Sequence, residues 1–110
     1  MIIRRCILAG LLLGAAAQAP AHAAGDPNAA RGIVAEYCVA CHVVPGYAPR
    51  YGRAPVDAPP FQTIADQPAV YTSERLHKFL QQPHFPMTKF TFSPSDIDNL
   101  IAFIESLRKS

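Results

Sequence analysis

The sequence has little charge and few cysteines, and both shortages exclude classes of protein. Charged residues make up only 16% of the 110 residues, which excludes a disordered, highly charged tail. The formal net charge of +2 is too small to indicate binding to nucleic acid or to a membrane surface. Three cysteines, an odd number, do not describe a disulfide framework. The length allows one small domain and excludes a multidomain enzyme.

Residues 1–23 account for much of the hydrophobic content, which is 50% of the chain. Arg4 and Arg5 precede an apolar run over 6–17, and 21–23 then supply the small residues that a signal peptidase requires. The apolar run of about 12 residues is shorter than the roughly 20 that cross a bilayer as a helix. These features predict a cleaved signal peptide over 1–23 and an exported protein without a stable membrane anchor.

The predicted mature domain, 24–110, differs in composition from the full chain. It has about 87 residues, eight of them basic and eight acidic, and its cysteines are Cys38 and Cys41. An exported domain of this size buries little apolar surface and usually needs an additional stabilising element, such as a disulfide or a bound metal.

Proline is abundant, and its positions predict long loops. The eleven prolines are about twice the average usage of roughly 5%. Five of them lie in 43–60, which is predicted to form one long loop, and 83–92 is predicted to be irregular as well. A loop as long as 43–60 is uncommon in a compact domain unless it wraps something.

The first predicted helix spans 28–39. Asp26 is a suitable N-cap, and Pro27 follows it at the first helical position. The residues predicted to lie on the buried side of this helix are Ile33, Val34 and Tyr37. A short helical turn is predicted over 61–66.

A further helix is predicted to begin at a cap on Thr72 or Ser73 and to extend to Gln81, where Pro83 ends it. Its apolar stripe consists of Leu76, Phe79 and Leu80.

The last predicted helix has the strongest start signal. Ser93 is the N-cap, Pro94 is at the first helical position, and Asp96 at the third position forms a variant of the capping box. Phe92 and Ile97 are spaced to form a hydrophobic staple across this cap. The apolar stripe, with Phe103 beside it, consists of Ile97, Leu100, Ile101, Ile104 and Leu107. Since no segment alternates in the manner of a strand, the sequence predicts an all-α domain with long loops.

The motif with the clearest chemistry is Cys38-Val39-Ala40-Cys41-His42. C-x-x-C-H is the attachment signature of c-type haem. One turn between the cysteines places each sulfur where it can form a thioether to one vinyl group, and His42 then faces the iron as an axial ligand. The motif therefore predicts one covalently attached haem c.

Three other interpretations of the cysteines fit the sequence less well. A disulfide between Cys38 and Cys41 would close too small a ring to stabilise the fold. A thioredoxin-type redox site requires a βαβ setting, which the sequence does not predict. A zinc site needs two more ligands, and His77 and His84 are available only without a paired spacing.

Met87 is the leading candidate for the second axial ligand. It is the one methionine of the mature domain, and Pro83 and Pro86 restrict the loop that carries it. His84 is the alternative and would give two histidine ligands with a lower potential, while an open iron position is a third possibility. His77 is on a predicted helix and is expected at the surface.

With these residues in hand, the mature chain resembles the small bacterial class I cytochromes c along nearly its whole length. The elements that match are the helix running into CVACH, the proline-containing loop, Met87 in a Pro-Met loop and the closing helix. The resemblance implies a class I cytochrome c fold, with about three to five short helices and long loops around one haem c. It also implies terminal helices that cross at near right angles.

The segment 58–61 resembles the Gly-Pro-x-Leu stretch of this family. The resemblance implies that Pro59 offers its carbonyl to the imidazole N–H of His42 and so fixes the ligand ring. The chain departs from the family at the helix crossing and in this segment. Ala30 and Val34 stand where a glycine and an aromatic residue are usual at the helix crossing, and Ala58 replaces the glycine. Phe103 matches the aromatic residue of the C-terminal helix.

The resemblance implies an electron-transport function: a periplasmic, monomeric one-electron carrier between respiratory or dehydrogenase partners, and not an enzyme. With His42 and Met87 both on the iron, no position is open to substrate. The alternative is a haem-based ligand sensor or small peroxidase in which Met87 is displaceable. Candidates for the apolar wrapping of the haem are Phe61, Ile64, Leu76, Phe79, Phe85 and Phe90. Candidates for a positive rim that steers acidic partners are Arg50, Arg53, Arg75, Lys78 and Lys89.

Overall fold

A computed structural model describes residues 25–109 except positions 83, 86, 88 and 89, together with Gly10 and Gly14. Apart from these two glycines, the predicted signal peptide over 1–23 lies outside the described residues, as do Pro83, Pro86 and Lys89. The α-helices are α1 (Arg31–Glu36), α2 (Phe61–Asp66), α3 (Ser73–Gln81) and α4 (Pro94–Ser106), with 3-10 turns at Asn28–Ala30 and Cys38–Ala40. The described part contains one isolated bridge, between Arg50 and Gly52, and no strand. The prediction of an all-α domain with long loops is confirmed.

The first helical segment is shorter and less regular than predicted. The expected single helix over 28–39 consists of a 3-10 turn, α1 and a second 3-10 turn. The N-cap of the first turn is Pro27, and not Asp26 as predicted, although the Asp26 carboxylate accepts a hydrogen bond from the Asn28 N–H at 2.9 Å. Helix α1 ends at Glu36. The cysteine turn that follows is a 3-10 turn, which is wound more tightly than an α-helix.

The prediction that Tyr37 is buried was also wrong, because Tyr37 is one position before the buried stripe of this segment. The buried positions are Ala30, Val34 and Cys38, which follow each other at intervals of four. Tyr37 lies beside this stripe and is 39% exposed. Its ring instead contacts that of Phe90 edge to face, with centroids 5.3 Å apart.

Helix α4 is the centre of the hydrophobic core. Its capping box is present, with the Ser93 hydroxyl accepting from the Asp96 N–H and the Asp96 carboxylate accepting from the Ser93 N–H. The cap is therefore as predicted, and so is the apolar stripe except for Leu107, which is the half-buried C-cap residue after α4. The buried residues of α4 are Ile97, Leu100, Ile101, Phe103 and Ile104.

The beginning of the described chain packs directly on α4. The 3-10 turn Asn28–Ala30 contacts this helix, and Ala30 is fully buried, as is Val34. The Asp26 N–H donates to Asn99 Oδ1 at 2.8 Å. A Cβ atom added to Gly25 would overlap with the backbone of Asp98. The two terminal segments are thus in direct contact, with Ala30 buried at the position where the resemblance leads one to expect glycine.

Polar contacts attach α2 and α3 to α4. Gln62 of α2 donates to the carbonyl oxygen of Leu107 at 2.7 Å. His77 of α3 contacts Asp98 through Nε2 and Oδ1, which are 2.9 Å apart. The side chain of His77 is 38% exposed, so this residue lies at the surface, as expected, but with a partner on the neighbouring helix. Thr72 is the N-cap of α3, with its hydroxyl 3.1 Å from the Arg75 N–H.

The loop over 43–60 is fastened to the cysteine turn by backbone hydrogen bonds. The Ala54 N–H donates to Ala40 at 2.7 Å, and the Phe61 N–H donates to Val43 at 2.9 Å. Gly46 has a φ of 80°, a conformation that glycine adopts without steric cost. These contacts bring the segment before α2 alongside His42. No helix in the described part of the chain combines the length and the apolar character needed to cross a membrane.

Candidate cofactor site

The two cysteines of the motif lie in one tight turn. Cys38 is buried, Cys41 is half-buried, and both thiols are free. The His42 N–H donates to the Cys38 carbonyl at 2.8 Å, which fixes His42 immediately after the turn. The fold therefore brings two unpaired sulfurs and an imidazole together within five consecutive residues.

The hydrogen bond of His42 determines which of its ring nitrogens is available to a metal. Nδ1 lies 2.6 Å from the carbonyl oxygen of Pro59. A carbonyl oxygen can only accept, so Nδ1 carries the proton and donates it. In the neutral ring this leaves the lone pair on Nε2, which is the atom free to bind a metal.

Burial disfavours the charged forms of His42 and Cys38. It lowers the pKa of His42, an effect that the hydrogen bond to Pro59 opposes and the nearby His84 reinforces. Burial, together with the neighbouring Cys41, raises the pKa of the Cys38 thiol to about 12. A zinc site and a thioredoxin-type site both use thiolates, and the surroundings of Cys38 disfavour the thiolate form.

A largely apolar cavity of about 310 Å³ opens beside the turn. Its volume is within the roughly 300–1,000 Å³ that ligand sites usually have. Helices α2, α3 and α4 and the loops around them all contribute to its walls. The apolar side chains that line it include Phe61, Ile64, Tyr71, Leu76, Phe79, Leu80, Met87, Leu100 and Ile104.

Two further cavities border the same residues. One, of about 570 Å³, lies between Cys41, the 55–59 segment and Phe85. The other, of about 10 Å³, lies between the cysteine turn and Phe90. His42 and Met87 contribute to the walls of all three cavities. These two residues therefore border one continuous region, although they are far apart in sequence.

His84, the alternative ligand, lies at the same region. It contributes to the walls of the two larger cavities, beside Met87. Its Nδ1 is 3.0 Å from the carbonyl oxygen of Phe79, at the end of α3. That contact ties the segment carrying Met87 to α3.

All six residues predicted to wrap a haem border these cavities. Phe61, Ile64, Leu76 and Phe79 line the first, Phe85 the second and Phe90 the third. Phe85 is 89% exposed and thus stands at the outer edge.

The positive residues predicted at a rim are distributed less uniformly. Arg75 lines the first cavity, whereas Arg50 lines a separate groove with Glu36 and Tyr51. Lys89 lies outside the described residues.

The sequence did not single out the aromatic contacts around His42. The ring of Phe61 lies against the imidazole, with centroids 5.0 Å apart. The signal available in the sequence was only the position of Phe61, two residues after Pro59. Contacts between residues this far apart depend on how the 43–60 loop folds back, which local patterns do not specify.

The residues present fit a haem c better than another metal centre. Two thiols one turn apart, an imidazole with its Nε2 lone pair free and an apolar cavity are what a covalently attached porphyrin requires. Within the described ranges, no three or more His, Cys, Asp or Glu side chains are grouped so that they could hold a metal ion.

Comparison with known proteins identifies the family. The chain is 33% identical over 98 residues to cytochrome c-552 of Bradyrhizobium diazoefficiens, a match that covers 89% of this chain and 90% of that protein. No family model matches the chain, and no solved structure matches it. With this similarity over nearly the whole length, and with a helical fold around the CVACH turn, the chain belongs to the small bacterial c-type cytochromes, electron-transport proteins with covalently attached haem c.

Proposed function

We propose that this protein is a periplasmic one-electron carrier, and not an enzyme, whose iron has His42 and Met87 as its axial ligands. Cys38 and Cys41 hold the haem through thioethers, and Pro59 orients His42. The observation that carries the proposal is the placement of His42 and Met87, which both border the three adjoining cavities.

Haem c supplies an iron that takes up and releases one electron. His42 and Met87 would both bind this iron, and with both bound no position would be open to a substrate. His42 binds through Nε2, because Pro59 holds the proton on Nδ1. Met87 contributes a neutral thioether, which favours the reduced state and raises the potential relative to a second histidine.

The apolar walls of the cavity also raise the potential. Leu76, Leu100 and Ile104 are buried and line the cavity of about 310 Å³ beside the cysteine turn. They exclude water and stabilise the less charged reduced state over the oxidised one. Arg75 lines the same cavity from the exposed side of α3 and contributes positive charge near its mouth.

The protein is located in the periplasm and exchanges electrons with other redox proteins. The periplasmic location is supported by the signal-peptide pattern over 1–23. The partners are redox proteins, an electron donor and an acceptor, that approach the edge of the site where Phe85 is exposed. The protein acts as a monomer.

The test uses holoprotein matured by the c-type cytochrome machinery. A pyridine haemochrome spectrum of the c type is expected, together with a ferric absorption band in the red that reports sulfur on the iron. A redox titration is expected to follow a one-electron curve, and the ferrous protein is expected to bind carbon monoxide slowly or not at all.

Two outcomes would overturn the proposal. Rapid uptake of carbon monoxide by untreated ferrous protein would favour a ligand sensor or small peroxidase with displaceable Met87. A ferric spectrum of the bis-histidine type without the red band would assign His84, and not Met87, to the second axial position.

A further inference from the structure

The imidazole of His42 is held by a second group besides the Pro59 carbonyl. The ring of Phe61 lies against it, with centroids 5.0 Å apart and ring planes inclined by 52°. His42 is 9% exposed and Phe61 4%, so water does not separate the two rings. The hydrogen bond restrains Nδ1, and the aromatic contact restrains rotation of the ring about that bond.

Phe61 is itself fixed by backbone and side-chain contacts. Its N–H donates to the Val43 carbonyl at 2.9 Å. This bond joins the segment after Pro59 to the residue that follows His42. Its ring meets that of Phe103 edge to face at 6.3 Å. Phe103 in turn contacts Tyr47 at 5.8 Å, with ring planes inclined by 82°. A chain of aromatic rings thus extends from α4 to His42.

We infer that Phe61 is a positioning residue for His42, which sets the orientation of the imidazole plane and transmits the packing of α4 to it. The inference rests on the proposed function, in which His42 binds the iron. Pro59 and Phe61 have different parts in this arrangement: Pro59 selects the tautomer, and Phe61 selects the angle of the ring.

An aliphatic side chain at position 61 could fill the same space without this effect. Leucine keeps the apolar contact with the cavity but offers no ring face or edge to the imidazole. The interaction between two aromatic rings changes an equilibrium constant by roughly two- to tenfold. Opening of the bond between His42 and Pro59 is therefore expected to become more frequent by about that factor in Phe61→Leu.

The experiment compares Phe61→Leu with Ile64→Val in the ferric holoprotein. Ile64 lies one turn further along α2 and lines the same cavity, so it controls for altered apolar contact with the haem. Proton NMR measures the exchange of the His42 Nδ1 proton with water and the order of the hyperfine-shifted haem methyl resonances. In Phe61→Leu we expect roughly two- to tenfold faster exchange and a changed methyl order, whereas Ile64→Val, which keeps the Phe61 ring in place, is expected to leave the exchange rate unchanged.

A second variant keeps the inference testable if Phe61→Leu does not mature. Phe103→Leu removes the ring behind Phe61 and is expected to change both quantities in the same direction, but less. If the exchange rate in Phe61→Leu and Phe103→Leu is the same as in Ile64→Val, the inference about Phe61 is wrong, but the proposed function is not affected. Wild-type protein in which the His42 ring protons show no hyperfine shift would instead overturn the proposed ligand assignment.

Discussion

The carboxylate of Asp66 accepts a hydrogen bond from the backbone N–H of Lys109 at 2.9 Å, which joins the end of α2 to the residues after α4. Its other oxygen accepts from Gln62 Nε2 at 3.0 Å, and Gln62 also donates to Leu107. Arg108 completes this contact by donating from Nε to the Ala65 carbonyl at 2.9 Å. The C-terminal end of α4 is thus attached to the helix that follows Pro59.

This arrangement predicts a pH-dependent stability. The hydrogen bonds from Lys109 and Gln62 favour the carboxylate and lower the pKa of Asp66 below its usual value. The unfolded state then binds the proton more readily, so the stabilisation is complete above the ordinary pKa and is lost as pH falls through the folded-state pKa. Asp66→Asn should therefore lower the free energy of unfolding at about pH 6 and have a much smaller effect at about pH 3.

Chemical denaturation of the holoprotein at the two pH values measures this difference. Glu105→Gln is the matched control, because it removes an exposed carboxylate from α4. A difference between Asp66→Asn and wild type that is the same at both pH values would contradict the prediction.

The close approach of Gly25 to α4 predicts that a single methyl group is destabilising there. The Cβ atom of Gly25→Ala would overlap with the backbone of Asp98, which cannot move without disturbing α4. We expect a loss of about 1–3 kcal/mol in the free energy of unfolding, as for other overpacked sites.

Gly32→Ala provides the opposite case. Gly32 lies within α1, and a Cβ atom there has open space within 4 Å. Alanine is expected to stabilise the helix by about 0.5–1 kcal/mol. Denaturation curves of the two variants that shift in the same direction would show that the contact between Gly25 and α4 is not tight.

The capping box at the start of α4 predicts a measurable loss in Ser93→Ala. The variant removes the hydroxyl that accepts from the Asp96 N–H at 3.2 Å. Loss of such a cap costs about 0.5–2 kcal/mol. Ser95→Ala, in the same turn, is expected to change thermal stability by less than about 0.5 kcal/mol. Equal effects of the two substitutions would mean that the cap does not stabilise α4.

Met87→Ala tests the second axial ligand. We expect loss of the red ferric band, rapid binding of carbon monoxide and a lower potential, because the thioether no longer favours the reduced iron. The decrease is expected to be on the order of a tenth of the roughly 0.8 V that axial ligands span. An unchanged spectrum would assign the position to another group.

His84→Ala is the control for this variant. His84 borders the two larger cavities beside Met87, so it tests whether proximity alone perturbs the spectrum. If Met87 is the ligand, the red band persists in His84→Ala.

Local signals predicted the helices whose starts carry a cap. The structure confirms the cap on Thr72 and the capping box on Ser93, because each depends on residues a few positions apart. The helix over 61–66 is also present, although no side-chain hydrogen bond caps its start. The apolar face of the first helix was predicted less well. It is formed by small residues such as Ala30 and Cys38, whereas the larger Tyr37, which was predicted to be buried, is exposed.

The arrangement of the site was only partly accessible from the sequence. The CVACH motif identified the cofactor because its spacing is itself the chemical requirement. The contact of Phe61 with His42 and the seating of Gly25 on α4 could not be predicted, because they depend on loop paths and on helix docking. Such contacts follow from tertiary packing, on which no local pattern reports.

The hydrogen bond between Asp26 and Asn99 joins residues that are 73 positions apart. The core that buries Ala30 and Val34 also contains Leu100, so the first helix has its packing surface only when α4 is present. Contacts of such high sequence separation slow folding, because a long loop must close before they form. A chain truncated before α4 is therefore expected to leave its first helix and the cysteine turn exposed to solvent.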